Sequence, residues 1–187
     1  MDAHGVPVDV LDGWAVAAAP PGVLRKALLG HPRKVPEGVE HLATLDGVPD
    51  GSIHDLMVYG VVERAADLIG LWRSIDRVLA VGGTARVFGV YWAHQDLHAD
   101  PTRLRGLSER MFSYLSKEGR TALLADLYED DVAVAALDGV NLEVVSMVHM
   151  GEPEWNGRSE EARSWAVRHY GNVVRRLDVV LRKAAAT

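Results

Sequence analysis

The sequence predicts an α/β fold in which a doubly wound, mostly parallel sheet is covered by helices. Short apolar segments, suited to buried strands, alternate with segments of helical periodicity. Gly82 and Gly83 separate an amphipathic segment from the strongest strand candidate of the chain. An Asp-Gly turn signal at residues 138–139 lies between two further apolar segments and predicts an antiparallel pair near the C-terminus.

The first third of the chain predicts a lead-in and two or three strands. Residues 1–22 are expected to be irregular, because prolines and glycines interrupt every apolar piece. Residues 23–30 predict either a strand or a short helix, since their length suits both. Residues 39–45 form a weaker strand candidate, and the Pro-Asp-Gly sequence within residues 48–52 predicts a turn. Residues 53–62 contain an apolar core typical of a buried strand.

The middle of the chain predicts a helix, a strand and a second helix. Apolar side chains recur at helical spacing over residues 67–79. The pair Gly82-Gly83 is expected to end this helix, because glycine adopts the backbone angles of a helix C-terminus. Residues 84–91 then predict a buried strand, and residues 108–117 predict a helix that starts after a serine.

The last third predicts a hairpin, a helix and a closing strand. Residues 131–137 and 142–150 are interpreted as two strands joined by the turn at 138–139. Residues 159–170 predict a helix, and residues 173–181 predict the last strand of the sheet.

Length and composition restrict the class of protein. A chain of 187 residues suits one domain, spanning 1–187. A net charge of −6 disfavours binding to nucleic acid or to an anionic membrane. Because cysteine is absent, the chain has no disulfide, thiolate nucleophile or cysteine-ligated metal. No apolar run of membrane-spanning length and no signal-like N-terminus occurs in the sequence, so a cytoplasmic protein is expected.

Five segments, in this order along the chain, resemble landmarks of the S-adenosylmethionine (SAM)-dependent methyltransferases. Residues 48–56 resemble the segment that leads into the family's fourth strand. Residues 61–64 resemble the hydrophobic-Glu-His step after that strand, with arginine in place of histidine. Residues 77–83 are similar to the Arg-Val-Leu-x-x-Gly-Gly sequence before the fifth strand. Residues 100–103 and 112–115 resemble segments of a subgroup often encoded beside sugar and natural-product genes.

The resemblance implies a Rossmann-like sheet and SAM as the cofactor. In the family, a glycine-rich loop after strand one approaches the methionine part of SAM, and an acid after strand two binds the ribose. Gly30 and His31 are the corresponding candidates here, with Glu40 and Asp46 for the ribose and adenine. Only 17 residues, 31–47, separate Gly30 from the next recognisable segment. Either a strand and a helix are missing, which shortens the N-terminal half, or residues 23–30 are not strand one.

The segment from residue 94 to residue 100 carries the densest set of reactive groups. His94, Asp96 and His98 are candidate catalytic residues, because imidazoles and carboxylates accept and donate protons near neutral pH. If this loop is extended, alternate side chains face the same way and converge. Hydrogen bonding within the loop explains the same pattern, and we predict no metal site.

Three further residues around this loop are candidates for binding the substrate. Tyr91 and Trp92 close the strand and form a possible pocket wall, although core packing explains them equally well. Asp100 precedes a proline, which suits either a substrate contact or a turn.

Three functions are compatible with these observations. The first is a SAM-dependent methyltransferase acting on a small molecule or a sugar-derived metabolite, in which positioning supplies most of the catalysis. The second is a biosynthetic enzyme or ligand-binding protein that keeps the fold without SAM. The third is a non-catalytic partner that forms a homodimer or pairs with an active methyltransferase.

Overall fold

The computed structural model describes residues 25–30, 35, 37–126 and 131–185. The predicted irregular lead-in, 1–22, and the candidate cofactor residue His31 lie outside these residues. Six strands form one sheet: β1 Arg25–Gly30, β2 Glu40–Leu42, β3 Ile53–Tyr59, β4 Leu79–Val90, β5 Leu142–Gly151 and β6 Val174–Lys183. The described helices are α1 Leu68–Val78, α2 Asp96–Ala99, α3 Glu109–Ser113, α4 Lys117–Asp126, α5 Asp131–Ala136 and α6 Glu160–His169, with a 3-10 turn at Pro153–Trp155.

The sheet is mostly parallel and has an antiparallel C-terminal pair, which confirms the predicted fold class. Its strand order is β2-β1-β3-β4-β6-β5. The first four strands in this order run parallel, β6 is antiparallel to β4, and β5 is antiparallel to β6. Strand β5 therefore runs in the same direction as β4, and it lies at the outer edge of the sheet.

The chain reverses its direction of growth across the sheet between β1 and β3. From β1 it moves outward to β2 and then returns to β3 on the other side of β1. The connection from β1 to β2 has nine residues, 31–39, whereas a helical crossover between parallel strands takes about a dozen or more. In sheets of this type, ligands bind at the carboxyl ends of the strands beside such a switch point.

The predicted hairpin over residues 131–150 is wrong in its first half. Residues Asp131–Ala136 form helix α5, and only the second segment is a strand. The first segment alternates valine and alanine, and alanine has the highest helix propensity of all residues. The antiparallel pair comes instead from β5 and β6, which the sequence places more than twenty residues apart.

The double glycine does not end the helix, contrary to the prediction. Helix α1 ends at Val78, and Leu79 already has the extended backbone that starts β4. Both Gly82 and Gly83 lie inside β4, where the register against β3 shifts. Gly82 has φ of 78°, and a Cβ at Gly83 would lie 3.0 Å from the carbonyl oxygen of His54. The glycines therefore permit an irregular start of the strand, because the positive φ of Gly82 disfavours a side chain and backbone oxygens occupy the space beside Gly83.

Helix α1 buries its apolar stripe against the sheet, as predicted. Asp67 caps its start by accepting a hydrogen bond from the backbone N–H of Gly70 at 2.8 Å. Trp72 is 2% exposed and meets the ring of Phe112 edge-on, with 6.0 Å between ring centroids. These two rings join α1 to α3 across the main core.

The remaining predicted elements are found with small changes in their bounds. Residues 23–30 and 39–45 contain the strands β1 and β2, and the predicted helix at 159–170 is α6. The predicted helix over 108–117 is divided, because α3 ends at Ser113 and α4 begins at Lys117. Ser116 lies in the break, where its hydroxyl accepts from the N–H of Gly119 at 3.0 Å.

Replacing Trp72 with alanine is expected to lower the free energy of unfolding by about 3–5 kcal/mol, because it opens a cavity in the core. The matched control is Trp165→Ala on α6, where the ring is 47% exposed and the expected cost is below about 1 kcal/mol. Urea denaturation measures both. Equal losses in the two variants would contradict the packing described here.

Candidate functional site

The candidate site lies at the edge of the sheet where β1, β3, β4 and β5 end, which we call the carboxyl edge. Strand β6 begins at this edge because it runs the opposite way. The chain positions that mark the edge are Gly30, Tyr59, Val90, Gly151 and Val174. Most of the residues that the sequence singles out for chemistry follow β4 at this edge.

Two glycines border the switch point between β1 and β3. Gly30 ends β1 with φ of 121°, and a Cβ there would lie 2.3 Å from the carbonyl oxygen of Tyr59. Gly60 follows β3 with φ of 64°. Both backbone conformations favour glycine. The Nε2 atom of His41 lies 2.6 Å from the Gly30 carbonyl oxygen, which ties β2 to the end of β1.

Glu40 and Asp46 are not brought to this switch point. Glu40 begins β2 opposite Ala27, at mid-height of β1, and is exposed. Asp46 lies in an exposed turn, where its carboxylate accepts from the Thr44 hydroxyl at 2.9 Å. The neighbouring Leu45 carbonyl accepts from Arg77 in the last turn of α1, just before β4 starts. Asp46 is therefore at the opposite edge of the sheet from Gly30, a separation that spacing in the sequence does not reveal.

A buried carboxylate, Glu63, joins the ends of β3 and β4. Its side chain is 2% exposed, and Oε1 accepts from the Val90 N–H at 3.0 Å. The carboxylate lies over Gly89, where a Cβ would come within 2.6 Å of Oε1. The Glu63 carbonyl also accepts from the Leu104 N–H at 2.7 Å. Within the described residues, Oε2 of Glu63 has no hydrogen-bond partner.

His94 is buried and uses both ring nitrogens inside the protein. Its Nδ1 accepts from the Asp96 N–H at 3.0 Å, so the proton resides on Nε2, which donates to the Glu152 carboxylate at 2.8 Å. With no free lone pair, this imidazole holds the loop to the 3-10 turn after β5. The geometry assigns His94 a structural role, although the sequence suggested a catalytic one.

Residues 96–99 form a helix rather than the expected extended loop, so the polar set converges only in part: Asp96 Oδ2 lies 3.7 Å from His94 Nδ1. Asp96 is the first residue of α2, and successive side chains in a helix turn by about 100°. Asp96 binds Arg175 of β6 at 2.9 Å, whereas His98 is exposed. Burial raises the pKa of Asp96, but the hydrogen bond and charge of Arg175 outweigh it and hold that pKa below its ordinary value.

Asp100 connects the loops that follow β3 and β4. It accepts hydrogen bonds from the Thr102 hydroxyl and N–H and from the Arg64 guanidinium. These contacts lower the pKa of Asp100 to about 2, and the hydrogen bonds from Thr102 are the largest cause. Arg64 also donates to the Gly60 carbonyl at 2.7 Å. The arginine that replaces the expected histidine therefore links both loops of the carboxyl edge.

A second polar cluster lies where β4 and β5 end. The Tyr91 hydroxyl donates to Oε1 of Glu109 at 3.1 Å, and Nε2 of His149 lies 2.6 Å from the same oxygen. Burial is the main cause that raises the Tyr91 pKa. Burial acts the same way on Glu109, but hydrogen bonds from His149 and Tyr91 outweigh it and lower the Glu109 pKa. Sequence reasoning singled out Tyr91 but missed Glu109 and His149, because these contacts join residues that are 18 and 40 positions apart.

Trp92 lies on the rim of the carboxyl edge. Its side chain is 54% exposed, and its ring centroid is 5.9 Å from that of Tyr91. The Trp92 N–H donates to the Leu107 carbonyl at 3.0 Å, which fixes the backbone at this point. Tyr91 is buried and Trp92 is accessible, so only the second presents an open aromatic face.

The described ranges contain neither a metal-binding cluster nor a membrane-spanning helix. No group of three or more histidine, aspartate and glutamate side chains there is arranged to hold a metal ion. None of the helices described combines the length and the apolar character needed to span a membrane.

Solved structures with a similar fold include SAM-dependent methyltransferases. A SAM-dependent methyltransferase from Archaeoglobus fulgidus matches with a TM-score of 0.53 and 12% identity, covering 87% of each chain. A second, from Mesorhizobium loti, matches with a TM-score of 0.44 and 15% identity, covering 86% of this chain and 91% of its own. The first match establishes that this chain has the methyltransferase fold. Neither a protein-family model nor a curated protein matches the sequence.

The low pKa of Asp100 predicts a loss of stability in acid. Because its folded pKa is about 2, below the ordinary 3.8, its contribution is complete above about pH 4 and is lost as pH falls toward 2. Asp100→Asn should therefore flatten the dependence of the urea midpoint on pH in this range, and Arg64→Met should flatten it in part. An unchanged slope in Asp100→Asn would refute this assignment.

The structural role of His94 predicts which tautomer its ring adopts. It also predicts that removing the side chain lowers the free energy of unfolding. Nitrogen NMR should show a protonated Nε2 and an unprotonated Nδ1 in this ring. His94→Ala should lower the free energy of unfolding by roughly 1–3 kcal/mol, since Glu152 and the Asp96 N–H lose their partner. His98→Ala, at an exposed position in the same loop, is the control and should cost less than about 0.5 kcal/mol.

Proposed function

We propose that this protein, which has the fold of the SAM-dependent methyltransferases, transfers a methyl group from SAM to a small molecule. The observation that carries the proposal is the switch point between β1 and β3, where Gly30 ends β1 and Gly60 follows β3. This is the position at which doubly wound sheets bind their ligands. The match to the Archaeoglobus methyltransferase supports the same reading at the level of the fold.

The described residues fit SAM at its methionine part. Gly30 and Gly60 have no side chain, which favours the close approach to the backbone that this part of the cofactor requires. Neither acid predicted to bind the ribose supports its binding here, since Glu40 and Asp46 lie away from the switch point. We therefore assign Gly30 and Gly60 to the cofactor, with His31 as an untested neighbour, and assign neither acid to it.

In methyl transfer, the main contribution of the protein is to position the acceptor. When bound, SAM supplies a methyl group activated by a sulfonium centre. The chain contributes a rigid rim around the carboxyl edge, in which Arg64 joins the loops after β3 and β4. His94 and Glu152 hold the next loop in place. A fixed rim lowers the entropy lost when acceptor and cofactor are aligned, which is a large share of the barrier for such reactions.

A second candidate function is the binding of another small molecule at the same edge. It is favoured by the positions of Glu40 and Asp46, which leave the described part of the site without an acid for the ribose. In this alternative the fold is kept while SAM is not the ligand. The first candidate predicts saturable binding of SAM, and the second predicts none.

The edge strand β5 favours self-association of the protein. Strand β5 lies at the outer edge of the sheet and exposes Val144, Val145 and Val148. Long edge strands with exposed apolar side chains tend to pair with other strands. We propose a homodimer through β5, which sedimentation or light scattering would detect as twice the mass of one chain. A protein that stays monomeric at high concentration would exclude it.

Calorimetric titration of the purified full chain with SAM and with S-adenosylhomocysteine tests the main proposal. We expect saturable heat and a rise in the melting temperature. Arg64→Met should weaken SAM binding about tenfold, because it releases the Gly60 loop. Arg73→Met, at an exposed position on α1, is the matched control and should bind as the wild type does. No heat and no thermal shift at about 1 mM SAM would refute methyltransferase function.

A further inference from the structure

Tyr59 lies directly beside Gly30 at the switch point between β1 and β3. The register of the sheet pairs Gly30 with Tyr59 and Tyr59 with Phe88, so these residues form one row across three strands. Register partners in a sheet present their side chains on the same face. The preceding residues, Val58 and Val87, belong to the main core. Because successive side chains of a strand alternate, the Tyr59 and Phe88 rings lie on the opposite face.

The rings of Tyr59 and Phe88 form a nearly parallel stack at this end of the sheet. Their centroids are 5.7 Å apart, and their planes differ by 11°. Phe88 is buried, whereas Tyr59 is partly exposed. Stacking against a buried ring fixes the orientation of the Tyr59 ring. Tyr59 therefore presents an oriented aromatic ring at the switch point.

The second face of the Tyr59 ring is turned towards β1, because its first face stacks on the neighbour from β4. On the β1 side the register partner is Gly30, which has no side chain to stack on the ring. Gly60, the other glycine that we assign to the cofactor, follows Tyr59 in the chain. Neighbouring strands are about 4.8 Å apart, and a cation is attracted to an aromatic ring within roughly 6 Å of its centroid. A cationic group bound at Gly30 is therefore within reach of this ring.

The electrostatics of this aromatic pair suit a cation. The face of an aromatic ring carries partial negative charge, which attracts a cation placed over it. Phe88 already makes such a contact, since the guanidinium carbon of Arg176 lies 5.5 Å from its ring centroid. Arg86, on the same face of the sheet, is paired with the Asp178 carboxylate at 2.8 Å, which compensates its charge. The Tyr59 end of the stack is the end that borders the switch point.

We propose that Tyr59 binds the positively charged sulfonium group of SAM through the face of its ring. The proposal rests on the binding of SAM proposed above and names the residue that recognises the charge of the cofactor. S-adenosylhomocysteine lacks the transferable methyl group and is neutral at sulfur. Tyr59 therefore makes the site selective for the charged donor over the neutral product. Backbone contacts at Gly30 and Gly60 do not discriminate in this way, because the two molecules share the rest of their structure.

Calorimetric titration of the full chain with SAM and with S-adenosylhomocysteine tests this selectivity. Tyr59→Leu should lower the affinity for SAM about three- to thirtyfold, which is the range for a cation over an aromatic ring. The affinity for S-adenosylhomocysteine should change less than about twofold, because no charge is lost from that contact. Tyr59→Phe keeps the ring and should bind both ligands as the wild type does. Equal losses for both ligands in Tyr59→Leu, or no loss for either, would overturn the inference.

A second set of variants keeps the shape of the ring and changes only its charge distribution. Position 59 is replaced by phenylalanine that carries one, two or three ring fluorines, which withdraw electron density from the ring face. The affinity for SAM should fall with each added fluorine, while the affinity for S-adenosylhomocysteine stays constant. Tyr170→Leu, at an exposed position at the end of α6, is the matched control and should leave both affinities unchanged. A SAM affinity that does not depend on fluorination would overturn the role of Tyr59, even where Tyr59→Leu does not fold.

The two proposals fail in distinguishable ways. If SAM does not bind, the methyltransferase function is refuted, and Tyr59 is tested with trimethylsulfonium ion and with uncharged dimethyl sulfide. The NMR signals of the Tyr59 ring should shift with the ion only, and the buried Tyr91 ring is the reference. A Tyr59 signal that does not respond to the ion then overturns the inference. Normal SAM binding with an unaltered affinity in Tyr59→Leu retains the methyltransferase function and refutes the role of Tyr59.

Discussion

The contact between the Glu63 carboxylate and the bare backbone of Gly89 is the constraint on which the carboxyl edge depends. The carboxylate accepts from the Val90 N–H, and the Glu63 carbonyl accepts from the loop at Leu104. A side chain at position 89 would occupy the place of the carboxylate. Because buried carboxylates are costly unless hydrogen-bonded, this arrangement strongly favours one conformation of the strand ends. Tyr91, two residues further on, is placed by it.

Ion pairs and hydrogen bonds then extend this order to the surrounding loops. Arg64 holds the loop after β3 to Asp100, and Arg175 holds α2 to the start of β6. Pairs that are partly exposed contribute little to stability individually, since water screens them and ordering long side chains costs entropy. Their effect here is to restrict where the loops lie. A site that works by positioning needs such restriction more than it needs additional stability.

The sequence predicted those parts of the fold that local patterns determine. The stripe of α1, the helix at 159–170 and the apolar segments of β3 and β6 are all properties of short segments. The errors occurred where a local pattern had two meanings. The double glycine suits a helix end and also an irregular strand, and only pairing with β3 decides between them. The apolar valine and alanine residues of α5 suit a strand, but the high helix propensity of alanine favours the helix that forms.

The candidate site likewise has features that local sequence determines and contacts that only the tertiary structure determines. The sequence by itself determined the fold class, the apolar segment that stops at Gly30 and the concentration of polar residues after β4, because each depends on residue type and order. Tertiary structure decided which groups meet: it placed Asp46 at the opposite edge, engaged both nitrogens of His94, and brought Glu109 to His149. Such contacts join residues that are distant in the chain. They depend on strand order and register, which no single segment of the sequence specifies.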